Sequence, residues 1–497
     1  FLYKKTKSTL ETIPSLKEKG LFLGGYVALF LLGLWATPKF DNIKSNNVFV
    51  QEIRANGVYK FYYAFTHSEL DFFQFYPTLP EEEARTTFFK HFFISYPGFG
   101  ECGTPQFAPI REFPYPVKRI FKEEHKKNVV LISVESLSAE FMAAYGNTEG
   151  ITPFLDSLAQ KSIFLTNLYA TGNRTVRGLE ALTLCIPPTP GESIVKRKDN
   201  KDKFTTGSVF KSKGYSVKYL YGGYSYFDNM KDFFAGNGYE IVDRDNFTPE
   251  EITFANIWGV SDEDMARKAI KEMNAQAKTG KPFFNHWMTV SNHRPFTYPE
   301  GRIDIPGTAK SRQGGVKYTD YSLKLFFELA KKESWFKDTV FVIVADHCAS
   351  SAGRTELPLD RYRIPCLIYA DFLEAKRVDT LASQIDVMPT VMGLLNFSYE
   401  SKFLGQDIFS GFYYNPRAYI ATYRELGYLT PDTLSIIKPL REQIQYKIVP
   451  EAEQPKVELP IFYQQLKVAQ PDGKLMKKCI SAYETTYFLL KNGELDK

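Results

Sequence analysis

Three stretches of this chain end runs of apolar residues with groups able to hold a metal ion or move a proton. NVVLISV runs into Glu135, TVFVIVA into Asp346 and His347, and FFNHWMTV into Ser291, Asn292 and His293. Two carboxylates and an imidazole converging at one edge make a mixed oxygen and nitrogen site suited to Mn²⁺ or Zn²⁺ and, less well, to Mg²⁺. Singly, each residue has a duller role: an acidic residue after a strand caps the next helix, and a lone histidine is more often structural. A fourth segment, TGNRTVRGLEALTL, breaks at Gly172 and Asn173, and its pattern predicts a helix starting near Thr175. A hydroxyl there lies in the positive field of the helix N-terminus, where free backbone N–H groups also hold phosphate. Beside a bound dication its proton would leave more readily, which makes a nucleophile at neutral pH. The same hydroxyl serves equally well as the cap of that helix. Arg174 and Arg177 flank it as candidate clamps for an anion, although arginines beside a helix start are ordinary. Asn292 and Arg294, on either side of His293, complete the candidate substrate contacts.

Ligands of open α/β sheets bind outside the carboxyl ends of the strands, so the elements carrying these residues matter. NVVLISV is a continuous apolar run, as expected of a strand covered on both faces, and similar runs recur at SVKYLY, KPFFNHWMTV, TVFVIVA and RIPCLIYA. Helical spacing appears in ESLSAEFMAAY, ITPFLDSLAQKS, DEDMARKAIKEMNAQAK and YSLKLFFELAKKES. Alternation of the two predicts a mainly parallel sheet sandwiched by helices. Beyond Thr422, QYKIV, KVELPIFYQQLKVA and TYFLLKNGELDK suggest strands of a small C-terminal α+β subdomain. Upstream, from Asp41 to about Lys127, a helix over VFVQEIRANGVYKFYYAF leads into irregular proline-rich sequence, and Phe72, Phe73, Phe75, Tyr76, Phe88, Phe89, Phe92 and Phe93 read as packing or membrane-interface groups. The aromatic stretch from Tyr224 to Phe234 reads as core packing more readily than as an acceptor pocket.

Between Lys19 and Lys39 the segment GLFLGGYVALFLLGLWATP carries no charge, and as a helix it spans roughly 28 Å, close to the hydrocarbon thickness of a bilayer. It lacks the polar stripe of a core helix and reads as a transmembrane helix. Lys4, Lys5, Lys7, Lys17 and Lys19 precede it, which places that flank in the cytoplasm and the residues after Phe40 on the outer side of the membrane. The first residue is Phe1 rather than Met, so the sequence reads as part of a longer chain. Of its 497 residues, 44% are hydrophobic and 24% charged, as in globular proteins, and the 62 basic and 57 acidic residues are interleaved, which disfavours nucleic acid as a partner. The five cysteines, Cys102, Cys185, Cys348, Cys366 and Cys479, form no C-x-x-C pair, so a thiolate zinc site is not expected, while one bridge remains open.

Taken in order, VVLISVES, GITPFLDSLAQKSIFLTNLYATGNRTVRGLEAL, TVSNHRPFTYP, VIVADH and QIDVMPTVMGLL resemble the sulfatase and alkaline-phosphatase superfamily, specifically its lipoteichoic acid synthase and phosphoglycerol transferase branch. The resemblance implies that Glu135, Thr175, Asp346 and His347 bind one metal ion, commonly Mn²⁺, that Thr175 is the nucleophile, and that His293 contacts substrate. Sulfatases of this fold need a Cys or Ser in C/S-x-P-x-R, and T-V-R-G-L stands here instead, so sulfate-ester hydrolysis is not expected. In lipoteichoic acid synthases a Trp and an Arg help hold glycerophosphate; the comparable YGGYSYFDNMKDFF offers Tyr226, Phe227 and Asp228 without an Arg. The expected organisation is a cytoplasmic flank and transmembrane helix (1–40), a connector (41–127), a sulfatase-like catalytic domain (128–421) and a C-terminal subdomain (422–497). The expected activity is transfer of a phosphoalcohol from a phosphatidylglycerol-like donor to an envelope glycan or polymer, at the outer face of a bacterial cytoplasmic membrane. Its rivals are a phosphoethanolamine transferase, a phosphodiesterase of the same fold and, more remotely, a non-catalytic envelope scaffold.

Overall fold

The computed structural model describes residues 15–41, 57, 70–93, 98–99, 105–106, 113–118, 123–410, 415–450 and 463–497. The basic residues Lys4, Lys5 and Lys7, the expected helix over 48–65 (Gly57 excepted) and Cys102 lie outside them. Helix α1 (Leu16–Asp41) covers the uncharged segment, and its Leu21, Phe22, Leu23, Leu29 and Trp35 side chains are exposed. Among the described residues no helix is long and apolar enough to cross a membrane.

Helix α2 (Glu81–Phe93) packs beside the C-terminal helix, where Arg85 pairs with Glu494 at 3.1 Å. Phe72 is fully buried, stacked on Tyr76 at 5.1 Å and tilted against Tyr487 at 5.9 Å, so this part of the aromatic connector does pack.

The chain then builds β1 (Asn128–Val134), α3 (Pro153–Ala159), β2 (Ile163–Tyr169), α4 (Thr175–Leu184), β3 (Ser216–Tyr221) and β4 (Glu240–Val242). It continues through α5 (Asp262–Ala277), β5 (Phe283–Met288), α6 (Arg312–Ala330), β6 (Thr339–Ala345), β7 (Arg363–Tyr369), β8 (Lys376–Val378), β9 (Ala382–Ser383) and α7 (Val387–Leu394). The strands form one nine-stranded sheet in the order β8-β2-β7-β6-β1-β5-β3-β4, with β9 also paired to β2. All pairs are parallel except those of β7, which runs antiparallel to both β6 and β2. Every residue of β5 and β6 is buried, as continuous apolar runs covered on both faces require.

Register decides what emerges at the sheet edge. Val134 of β1 lies opposite Ala345 of β6, so the next residues, Glu135 and Asp346, leave the sheet side by side. On the other flank of β1, Ser133 lies opposite Met288 of β5, which brings the segment from Thr289 to His293 to the same edge. Because β2 is antiparallel to β7 and β7 to β6, β2 runs with β6 and delivers the chain to α4 at that edge too.

Two local expectations are corrected, and one strand is added. ESLSAEFMAAY forms two short 3₁₀ turns, Ala139–Phe141 and Ala143–Tyr145, rather than a helix, because Met142 between them is extended at φ −91°, ψ 142°. SIFLTNLY, which adjoins the helical ITPFLDSLAQKS without a Gly or Pro break, is the interior strand β2. TYFLLKNGELDK is not a strand: its first half ends helix α8 (Gly473–Lys491), which Asp472 caps by accepting from the Lys474 and Leu475 amides. Met476, Cys479, Ile480, Tyr483 and Leu490 form its buried stripe, a helical period that begins too far upstream to show in the last residues alone. Helix α8 follows a five-stranded antiparallel sheet of β10 (Ala418–Ala421), β11 (Leu426–Leu429), β12 (Thr433–Lys438), β13 (Glu442–Pro450) and β14 (Tyr463–Lys467). Cys185, Cys348, Cys366 and Cys479 are all buried and free.

Candidate active site

At the carboxyl edge of the three central strands, Glu135, Asp346 and His347 place one ligand atom each within 4.8 Å of one another. Asp346 is fully buried. Its Oδ1 accepts from the backbone amides of Ser136 (2.8 Å) and His347 (2.7 Å), whereas its Oδ2 is buried with no hydrogen-bond partner and lies 3.5 Å from His347 Nε2. Burial first, and the neighbouring Glu135 carboxylate second, hold the Asp346 carboxyl above the usual carboxylate range, against the opposite pull of His347. An orphaned carboxylate oxygen beside a second carboxylate is what a dication would satisfy, and these residues fit one.

His347 is oriented for the same purpose. Its Nδ1 lies 2.7 Å from the Cys348 carbonyl oxygen. A carbonyl only accepts, so Nδ1 carries the proton and the Nε2 lone pair is left for a cation. Nε2 sits 3.7 Å from Glu135 Oε1, and Ser136 Oγ donates to that oxygen at 2.6 Å. Ser136 itself is at φ 53°, a conformation costly for serine. It is held there by the hydrogen bond its backbone N–H donates to Asp346 Oδ1 and by the Asn292 side-chain amide, which donates to the Glu135 carbonyl at 2.8 Å and the Ser136 carbonyl at 3.5 Å.

Thr175 is the first residue of α4, and Arg174, not Thr175, occupies the cap position. Rather than capping, the Thr175 hydroxyl donates to Glu135 Oε2 at 3.1 Å and lies 3.5 Å from His347 Nε2. The choice left open by the sequence between cap and site residue is thus made by geometry. Gly178 brings α4 this close: a Cβ built there would press on the Asp346 carbonyl oxygen and lie 2.7 Å from its Cα. Gln384 fixes the same backbone from the far side by donating to the Ala345 and Asp346 carbonyls at 2.8 and 2.9 Å. We expect Gly178→Ala to push Thr175 away from Glu135, destabilising the protein by about 1–3 kcal/mol and slowing turnover. Thermal melts and initial rates test this, and a variant with wild-type rate would refute the packing argument.

The other expected substrate residues part company. Arg177 is 6% exposed, and its guanidinium is spent on Glu180 (2.9 Å) and on the Thr189 and Gly191 carbonyls (2.7 and 2.5 Å). It ties α4 to the following loop and is not an anion clamp, a correction that follows from its inward direction at N3. Arg174 and Arg294 are exposed, and Asn292 is buried and serves the Glu135 backbone. His293 Nδ1 lies 3.3 Å from the Arg294 carbonyl, and its ring rests 3.8 Å from that of Trp258, whose Nε1 donates to the same carbonyl. Phe227 meets Trp258 edge-on at 5.4 Å. The Tyr224–Phe234 stretch divides accordingly: Met230, Phe233 and Phe234 are core, while Tyr224, Tyr226 and Phe227 are exposed. Ser136, Gln384, Trp258 and Arg312 escaped the reading of the residues by type. Of these, Ser136, the last residue of VVLISVES, and Gln384, the first of QIDVMPT, had a sequence signal.

A mixed sheet with this edge and a second antiparallel sheet is the alkaline-phosphatase and sulfatase-like α/β fold. Residues 127–397 match the sulfatase family, and the chain belongs to that family, in its lipoteichoic acid synthase-like branch. It is 24% identical over 325 residues to lipoteichoic acid synthase 2 of Bacillus subtilis, covering 60% of this chain and 49% of that protein. With the lipoteichoic acid synthase of Staphylococcus saprophyticus it shares 27% identity over 323 residues, 59% of this chain and 49% of the relative. The chain thus spans about half the length of the curated relatives it matches. A crystal structure of an alkaline-phosphatase-superfamily protein from Vibrio parahaemolyticus superimposes with a TM-score of 0.74 at 31% identity, over 85% of this chain and 99% of that one. The lipoteichoic acid synthase structure from Listeria monocytogenes shares the fold at TM-score 0.63 and 19% identity, over 81% of this chain and 98% of that one.

Proposed function

We propose that this chain is a membrane-anchored, metal-dependent phosphoglycerol transferase. It moves a phosphoalcohol from a phosphatidylglycerol-like donor to an envelope glycan or polymer through a covalent intermediate on Thr175. The observation that carries this reading is the Thr175 hydroxyl, donated to Glu135 Oε2 at 3.1 Å and shared with His347 Nε2 at 3.5 Å. The matched relatives are lipoteichoic acid synthases, which supports an envelope polymer as the product.

A divalent ion, which we assign as Mn²⁺ with Zn²⁺ or Mg²⁺ as alternatives, would be held by Glu135, Thr175, Asp346 and His347 and would acidify the hydroxyl and offset phosphoryl charge. Glu135 already accepts the Thr175 proton's hydrogen bond, so it is the group toward which that proton moves as Oγ1 attacks phosphorus. The bond from phosphorus to the diacylglycerol oxygen breaks, and that oxygen takes up a proton. The backbone N–H groups at the start of α4 face the nonbridging oxygens. His293, with Nδ1 turned to the Arg294 carbonyl, keeps Nε2 for the leaving oxygen or the acceptor hydroxyl. The acceptor oxygen then attacks phosphorus as its proton passes to His293 Nε2, the bond from phosphorus to Oγ1 breaks, and Oγ1 recovers its proton from Glu135.

Anchoring by the Gly20–Pro38 segment in a bacterial cytoplasmic membrane, with the catalytic residues on its outer side, would hold the site at the headgroup plane where the donor lies. The exposed apolar side chains of α1 support this. The test is separate incubation of the metal-loaded enzyme with vesicles of phosphatidylglycerol and of phosphatidylethanolamine, followed by peptide mass spectrometry. A phosphoglycerol adduct on Thr175 from the first donor alone is expected. A phosphoethanolamine adduct would reassign the donor, headgroup release to water without acceptor transfer would make the enzyme a phosphodiesterase, and neither adduct nor turnover would leave a scaffold.

A further inference from the structure

Arg312 opens helix α6 and stands beside the site without being used by it. Its guanidinium lies over the Phe296 ring, 4.7 Å from the centroid. Its Nη1 makes one long hydrogen bond, 3.5 Å, to the carbonyl of Asn292, the residue whose side chain grips the Glu135 carbonyl. Among the described residues no carboxylate pairs with it. An arginine carries five N–H donors in a rigid fork, and with one long bond made, the rest of this half-buried fork is free to take an anion.

The electrostatic setting makes this arrangement costly in the free protein. Burial lowers the proton affinity of Arg312, the charges of Glu135 and Asp346 raise it, and the charge of Arg294 lowers it. Two arginines therefore oppose each other near two carboxylates that a dication would neutralise. Once they are neutralised, only the charge of Glu140 is left to offset the Arg312–Arg294 repulsion. A group that brings negative charge and several acceptor oxygens into this corner relieves all of it, and a phosphoryl group does so with the geometry a guanidinium fork matches. Stacking on Phe296 fixes the plane of the fork, so little freedom remains to be lost on binding.

We propose that Arg312 is the cation that binds the nonbridging oxygens of a phosphodiester substrate, with the Trp258–His293 pair as the adjoining wall for the alcohol it carries. The assignment deepens the proposed transfer reaction and rests on it for the nature of the substrate. Trp258 and His293 are joined to the same corner through the Arg294 carbonyl, which accepts from the Trp258 indole and lies 3.3 Å from His293 Nδ1. Arg312 comes from α6 rather than from the stretch 221–234, which contains no arginine.

The experiment is calorimetric titration of the Mn²⁺-loaded full chain with inorganic phosphate, in the wild type, Arg312→Ala and Arg312→Lys, after Mn²⁺ affinity has been measured in each. Arg312→Ala should weaken phosphate roughly ten- to hundredfold, since a charge-assisted hydrogen bond is lost. Arg312→Lys should recover part of that, and Mn²⁺ affinity should not fall in either variant, since removing a neighbouring cation favours the dication whereas structural damage to the site would weaken it. With bis(p-nitrophenyl) phosphate the loss should appear in KM more than in kcat. If the alanine variant fails to fold, Arg312→Gln replaces it. Unchanged phosphate affinity in the variants overturns the assignment of Arg312 alone. Absence of any adduct on Thr175 with either lipid donor overturns the transfer reading, while the phosphate titration still decides whether Arg312 binds the anion.

Discussion

Thr175→Ala lowers turnover roughly 10⁴-fold or more and leaves no covalent adduct on the enzyme, whereas Thr175→Ser retains both adduct and a measurable rate. The reason is positional. Thr175 sits at the first turn of α4, where its hydroxyl is directed to Glu135 Oε2 at 3.1 Å and is not needed to cap the helix. Alanine keeps the helix and removes only the attacking oxygen, so stability should change little while chemistry stops. Serine restores that oxygen with a freer rotamer, since it lacks the branching methyl group that restricts threonine. The measurement is a single-turnover assay with labelled donor, combined with peptide mass spectrometry. An alanine variant that still turns over, or an adduct on any other residue, would end the covalent scheme.

Asp346→Asn is the second large effect: Mn²⁺ affinity falls roughly 10²-fold or more, and turnover falls with it. The amide keeps an oxygen for the Ser136 and His347 N–H groups, which Oδ1 now serves at 2.8 and 2.7 Å. It then presents N–H₂ where the unpartnered Oδ2 stood, and an amide nitrogen offers a dication no lone pair. The metal-free variant should also melt at or above the metal-free wild type, because a buried charge next to Glu135 has been removed. Loss of metal together with retained or raised apo stability separates a ligand role from damage to the fold. Stoichiometric metal at wild-type affinity would refute the assignment, and a chelated wild type should reproduce the inactivity of the variant.

Much of the sheet was legible because burial on both faces leaves a local mark. NVVLISV, SVKYLY, FFNHWM and TVFVIVA are strands 128–134, 216–221, 283–288 and 339–345, and the polar residues that follow the first, third and fourth form the site. The missed strand 163–169 shows the limit of that mark, since its apolar run adjoins a helix without punctuation and only pairing with its neighbours makes it extended. The last helix was misjudged for a related reason: a period of 3.6 needs several turns to be seen, and the final residues hold barely one.

Arg177 and Arg312 mark the boundary from opposite sides. Both are arginines near a helix start. Arg177 stands two residues from Thr175 in sequence, yet its guanidinium turns inward to Glu180 and two carbonyls. Arg312, far from every motif, comes within range of the charges of Glu135 and Asp346. Residue type and strand pattern thus determine on their own that Glu135, Asp346, His347 and His293 follow strands and that Thr175 begins a helix, because these follow from local hydrophobic period and capping chemistry. Which strands are neighbours, that Val134 registers with Ala345, that Gly178 lets α4 press on Asp346, and that Arg177 turns inward are decided only by tertiary structure. Those outcomes depend on pairings and packing between residues far apart in the chain, whose energies no local pattern records.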